Sequence, residues 1–83
     1  MTVRVRYFAG ARAAAGVAEE DVALPAPATV AEAITALGDR HGRALEKVLA
    51  AASFLLNSVA VRDREHPLGE GDGLDVLPPF AGG

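Results

Sequence analysis

One segment of this chain is long and periodic enough to be a helix that covers a sheet, and strand-like runs flank it on both sides. It opens at Thr29-Val30-Ala31-Glu32. Threonine followed three residues later by glutamate is a capping box: the hydroxyl takes the N–H of Glu32, and the Glu32 carboxylate returns to the N–H of Thr29. Val30, Ala33, Ile34 and Leu37 then recur at helical spacing and should face the sheet. Gly38 weakens the end of the helix and Gly42 closes it. Arg43 to Ala51 continues as a second helical piece, with Leu45, Val48 and Leu49 apolar.

Ahead of the helix, Thr2 to Phe8 alternates cleanly, with Val3, Val5 and Tyr7 on one face and Arg4, Arg6 and Phe8 on the other. That period of two is a strand with one buried and one more polar face. Ala9 to Ala15 supplies small, helix-favouring residues up to a stop at Gly16, and Arg12 reads as a surface charge there. Glu19 to Leu24 suits a second strand paired with the first, ended by Pro25 and Pro27. Glu19, Glu20 and Asp21 cannot form an acid–base pair, because neighbours on a strand point to opposite faces. They read as an exposed edge kept soluble by charge.

Behind the helix, Phe54-Leu55-Leu56 is wholly apolar, so it should lie centrally or be covered on both faces. Asn57-Ser58 falls where a tight turn belongs, and Val59-Ala60-Val61 returns. Gly69 to Gly73 is a turn run without the Lys-Ser/Thr of a phosphate loop. Leu74 to Leu77 is the last strand. The order is α+β: a mixed sheet of four to five strands, rolled around one main helix over residues 1–77. A single helix across one face leaves the other face partly open. Phe8, Leu77 and Phe80 can form an apolar patch there.

Composition narrows the function classes. Eighty-three residues, 51% of them apolar and 23% charged, make one folded domain. The absence of cysteine removes disulfides, a thiol nucleophile and thiolate metal sites, and suits a reducing cytoplasm. The start has no signal-peptide h-region, and no run approaches a membrane span. A net charge of −3 argues against nucleic acid as a partner. Residues 57–83 hold five acids against Arg62 and Arg64, so an acidic surface near the end should steer the domain toward a basic protein. His41 and His66 have no partner in sequence, and Lys47 is the sole lysine.

Residues 78–83, Pro78-Pro79-Phe80-Ala81-Gly82-Gly83, follow the last strand as a tail. Two prolines cannot continue a sheet interior and stiffen the exit. Glycine then tolerates almost any φ and fits where a side chain would not. Extended, the tail reaches about 20 Å. The functional reading is that the α-carboxylate of Gly83 is itself the reactive group, ionised above its ordinary pKa of about 3.3–3.7.

Taken together, several stretches resemble a known family. They are Tyr7-Phe8-Ala9 with Arg12 and Gly16, Ala28 to Glu32, Leu55-Leu56-Asn57 with Val59-Ala60-Val61, His66 to Asp72, and the closing Pro-Pro-Phe-Ala-Gly-Gly. The chain resembles the ubiquitin-like sulfur carriers of the MoaD/ThiS family over its whole length, most closely those that form the small subunit of molybdopterin synthase. Asn57-Ser58 departs from the Asn-Gly of many relatives and leaves the turn type open.

The resemblance implies a β-grasp fold and a tail that an activating enzyme adenylates with ATP. Sulfur then displaces AMP to leave a thiocarboxylate on Gly83, which donates sulfur in the large catalytic subunit, within a heterotetramer. It implies docking through Phe8, Leu77, Pro78, Pro79, Phe80, Ala81 and Gly82, and no bound cofactor or metal. Carriers for thiazole or cysteine share the Gly-Gly end. A ubiquitin-like modifier joined to lysines, or a passive binding module, are the readings from other classes.

Overall fold

The computed structural model describes residues 1–79, so the expectations placed on Phe80, Ala81, Gly82 and Gly83 lie outside the described residues. Eight elements follow one another: β1 (Thr2–Tyr7), α1 (Ala9–Ala15), β2 (Glu19–Ala23), α2 (Val30–His41), α3 (Arg43–Ala51), β3 (Ser53–Leu56), β4 (Val59–Ala60) and β5 (Gly73–Leu77). The strands form one sheet in the order β2-β1-β5-β3-β4. The β1–β5 pair is parallel and the other pairs are antiparallel. First and last strands therefore lie side by side, and the tail leaves from the middle of the sheet.

The core follows from the alternation. Val3, Val5 and Tyr7 of β1, Leu74 and Val76 of β5, and Phe54 and Leu56 of β3 turn to one face and are buried. Val30, Ala33 and Leu37 of α2 and Leu45 and Leu49 of α3 close over them. Each such large aliphatic side chain contributes about 1.5–3 kcal/mol when taken fully out of water. The capping box forms as the sequence predicts, with Thr29 Oγ1 accepting from Glu32 N at 3.2 Å and Glu32 Oε1 accepting from Thr29 N at 3.0 Å. Gly42 ends α2 at φ 90°, a conformation L side chains avoid, and its N–H donates to Gly38 O.

Three points of the sequence reading are sharpened. Gly38 sits buried in the last turn of α2, and a Cβ there would meet Glu46 Cγ at 3.0 Å. Glycine at that point lets α3 pack close. The apolar β3 is neither central nor covered twice, since Leu55 stands half-buried on the open face beside Asp75 of β5. Thirdly, the turn left open by Ser58 holds both residues at positive φ, 49° for Asn57 and 70° for Ser58. This is the mirror-image turn that matches the strand twist of a two-residue hairpin.

The same turn is tied to the Gly69–Gly73 run. Asn57 Nδ2 donates to Asp72 Oδ1 at 3.1 Å, Gly73 N to Asn57 Oδ1 at 2.9 Å, and Gly69 N to Asp72 Oδ2 at 2.7 Å. The Gly69 N–H and then the Asn57 amide hold the Asp72 carboxyl below its ordinary pKa. Among the described residues no helix is long and apolar enough to cross a membrane.

Candidate functional site

The open sheet face is built by register. Arg6 of β1 stands opposite Glu19 on one side and Asp75 on the other; Asp75 stands opposite Leu55, and Leu55 opposite Ala60. One step past the Tyr7–Val76 pair come Phe8 and Leu77, with Ser53 opposite Leu77. Phe8 is 38% exposed, and its N–H donates to Val76 O at 3.2 Å, which pins the end of β1 against β5. Leu77 and Pro78 are half-buried and Pro79 is exposed. The structure thus gathers Phe8, Leu77, Pro78 and Pro79 at the exit of the central strand. Phe80 to Gly83 lie outside the described residues.

The face is not uniformly apolar. Arg6 Nε donates to Asp75 Oδ1 at 2.8 Å and Nη2 to Oδ2 at 2.9 Å, a two-pronged pair. The hydrogen bond and charge of Asp75 raise the Arg6 pKa above its ordinary value. The Arg6 guanidinium carbon lies 5.7 Å from the centre of the Phe8 ring, within cation–π range. On the edge, Arg4 bridges Glu19 and Asp21. Two of the three consecutive acids therefore behave as the exposed edge that the sequence predicts.

Glu20 does not. In register with Val5, it turns to the core side, where Tyr7 Oη donates to its Oε2 at 2.6 Å. The end of α2 brings His41 Nε2 to the same oxygen at 2.5 Å and Arg40 Nε to Oε1 at 3.1 Å. The His41 ring meets Tyr7 edge-on, centroids 5.8 Å apart. Burial alone would raise the Glu20 pKa, but the hydrogen bonds from Tyr7 and His41 and the charges beside it outweigh that and lower it. Burial first, and then Glu20, push the Tyr7 pKa up, so its hydroxyl stays a donor. His41 is therefore not partnerless. The missed signal was the parity of β2: the central member of three acids must face inward if its neighbours face out.

The acidic surface expected beside the tail is also corrected. Glu70 and Asp72 lie at the start of β5, where Glu70 Oε1 accepts from Thr2 N and Asp72 O from Arg4 N, at the far end from the tail. Asp75 is nearer, yet it is buried and paired. What surrounds the tail root is apolar surface and the Arg6–Asp75 pair. Among the described residues, no group of three or more histidines and carboxylates is placed to hold a metal ion.

The sequence profile of the ThiS family matches residues 5–83. The chain belongs to the ThiS family. It is 33% identical over 84 residues to the molybdopterin synthase sulfur carrier subunit of Chlamydomonas reinhardtii, covering all of both chains. Among solved structures it is similar to subunit 1 of the molybdopterin converting factor from Pyrococcus furiosus. That match has 31% identity and a TM-score of 0.83, covering 96% of this chain and 99% of that one. It is also similar to small archaeal modifier protein 1 of Haloferax volcanii, with 28% identity, a TM-score of 0.87 and full coverage of both chains. The expected ubiquitin-like β-grasp roll is borne out, with five strands, the main helix α2 and the shorter α1 and α3 among the described residues. In this ThiS-family member the open face and the strand that carries the tail are therefore built as one unit.

Proposed function

We propose that this chain is a sulfur carrier for molybdopterin synthesis, acting as the small subunit of molybdopterin synthase through the carboxylate of Gly83. The observation that carries the reading is the direct run from the central strand β5 into Pro78-Pro79 and on to Gly82-Gly83, with no polar linker between. A strand locked on both sides fixes where the tail starts, and the docking face surrounds that point. Similarity to the sulfur carrier subunit of the alga and to subunit 1 of the archaeal converting factor supports it.

A carboxylate is a poor electrophile because oxide is a poor leaving group, so the step needs activation. Gly83 attacks the α-phosphate of ATP within an activating enzyme, pyrophosphate leaves, and a sulfur nucleophile then displaces AMP. The thiocarboxylate so formed enters the large catalytic subunit and gives up its sulfur. ATP is consumed by the activating enzyme; the carrier itself holds no cofactor and supplies no acid or base. A side chain at Gly82 or Gly83 would crowd a narrow channel and restrict the backbone. Phe8, Leu77 and the Pro78-Pro79-Phe80-Ala81 neck dock on both enzymes.

A ubiquitin-like modifier is the second reading, favoured by the fit to the archaeal modifier protein. It uses the same adenylation and ends in an isopeptide bond to lysine. Carriers serving cysteine or thiazole synthesis differ only in the acceptor. Incubating thiocarboxylated protein with the large synthase subunit and its pterin precursor separates these readings. Stoichiometric return of the tail to carboxylate with a dithiolene product supports the first. Lysine-linked adducts in cell extract, without that transfer, would replace it with the second.

A further inference from the structure

Asp75 is the one buried charged residue among those described, and the carrier chemistry makes no use of it. Its side chain is 8% exposed, whereas that of its partner Arg6 is 49% exposed. An apolar pair at these positions would simply extend the surface of Leu55 and Leu77, and such a replacement is often neutral or stabilising. Fold stability therefore gives little reason for the pair. Its place does: it lies in the row next to Phe8 and Leu77, at the root of the tail.

The guanidinium has five N–H groups, and two of them go to Asp75. Three remain, one on Nη2 and two on Nη1, without an acceptor among the described residues. The two bonds to Asp75 and the contact with the Phe8 ring hold the guanidinium, and with it those free N–H groups, in place. Water serves these donors in the free protein. A partner that covered the face with apolar surface alone would strand them, which is a penalty against the wrong partner.

We infer that Arg6, held by Asp75, is a specificity-determining residue of the docking face, and that the true partner meets it with uncharged carbonyl oxygens set among apolar side chains. This rests on the docking reading above. Carbonyls fit better than a carboxylate because Asp75 already balances the Arg6 charge and Glu19 stands opposite on the next strand. A third anion would add to the negative charge already there.

The test is calorimetric binding of the large molybdopterin synthase subunit from the same organism to wild type, Arg6→Lys, and the double variant Arg6→Leu/Asp75→Ala. The double variant removes both charges together, so it leaves no unpaired Asp75 and should melt within a few degrees of wild type. It should bind about tenfold or more weakly, to the same extent in low and in high salt. Arg6→Lys keeps the charge, loses the fork and should also weaken binding. Wild-type affinity in the folded double variant overturns the inference and leaves the docking reading standing. A loss confined to low salt overturns it in favour of a carboxylate on the partner. Failure of wild type itself to bind removes the docking reading, and the inference with it.

Discussion

Ser58 occupies a backbone conformation that its own chemistry disfavours. A φ of 70° costs an L-residue about 1–2 kcal/mol relative to glycine, partly offset by the greater freedom glycine loses on folding. Ser58→Gly should therefore raise stability by about 0.5–1 kcal/mol, which thermal melting would register as a gain of several degrees. An unchanged or lower midpoint would show that the turn relaxes elsewhere. At the tail, Gly83→Ala should leave the melting curve untouched and adenylate poorly, read as pyrophosphate release with an activating enzyme. Normal release would sink the steric argument for glycine. The turn position was legible as residues. Asn57-Ser58 marked the turn, but its type depended on the twist of β3 and β4, which no local signal carries.

Between elements, Glu20 is the clasp that joins β2 to the end of α2. Glu20→Ala would strand the buried Tyr7 hydroxyl, costing about 1–3 kcal/mol by chemical denaturation. The sign of the acid dependence follows from its lowered pKa. As pH falls, the unfolded chain binds the proton first, at the ordinary value of 4.5, so the stabilisation is complete above that pH. It is then lost as pH drops through the folded value. Glu20→Gln should flatten this part of a stability–pH curve; a curve with the wild-type slope would place the acid response in other carboxylates such as Asp72. The helices, the capping box and most strands were readable from periodicity because each is a local pattern. The Glu20–His41 contact was not, because 21 residues separate the partners and only the return of α2 over the hairpin brings them together. Leu55 misled for a related reason: an apolar residue on an open face looks like core until the sheet's other covering layer proves absent.

For the molecule as a whole, sequence and structure agree on the fold and on the strand that leads into Pro78-Pro79. The β-grasp roll puts the last strand at the sheet's centre, so the tail is anchored by β1 and β3 on either side. The apolar cluster at the tail root was legible in Phe8, Leu77 and the two prolines. The charge around it was not, because counting acids by sequence position ignores that β5 separates Glu70 and Asp72 from the tail by the length of the strand. Association with a partner at the tail root should accordingly show little dependence on salt, in contrast to an acid-steered encounter; stopped-flow rates across ionic strengths check this. The central claim is that the Gly83 carboxylate is the working group. Its most direct test is the intact mass of the protein after incubation with ATP, a ThiS-family activating enzyme and a sulfur donor. The expected result is a gain equal to exchanging one oxygen for sulfur, absent when Gly83 is removed. A mass that stays unchanged with wild-type protein, while the same enzyme loads its own carrier, would contradict the account.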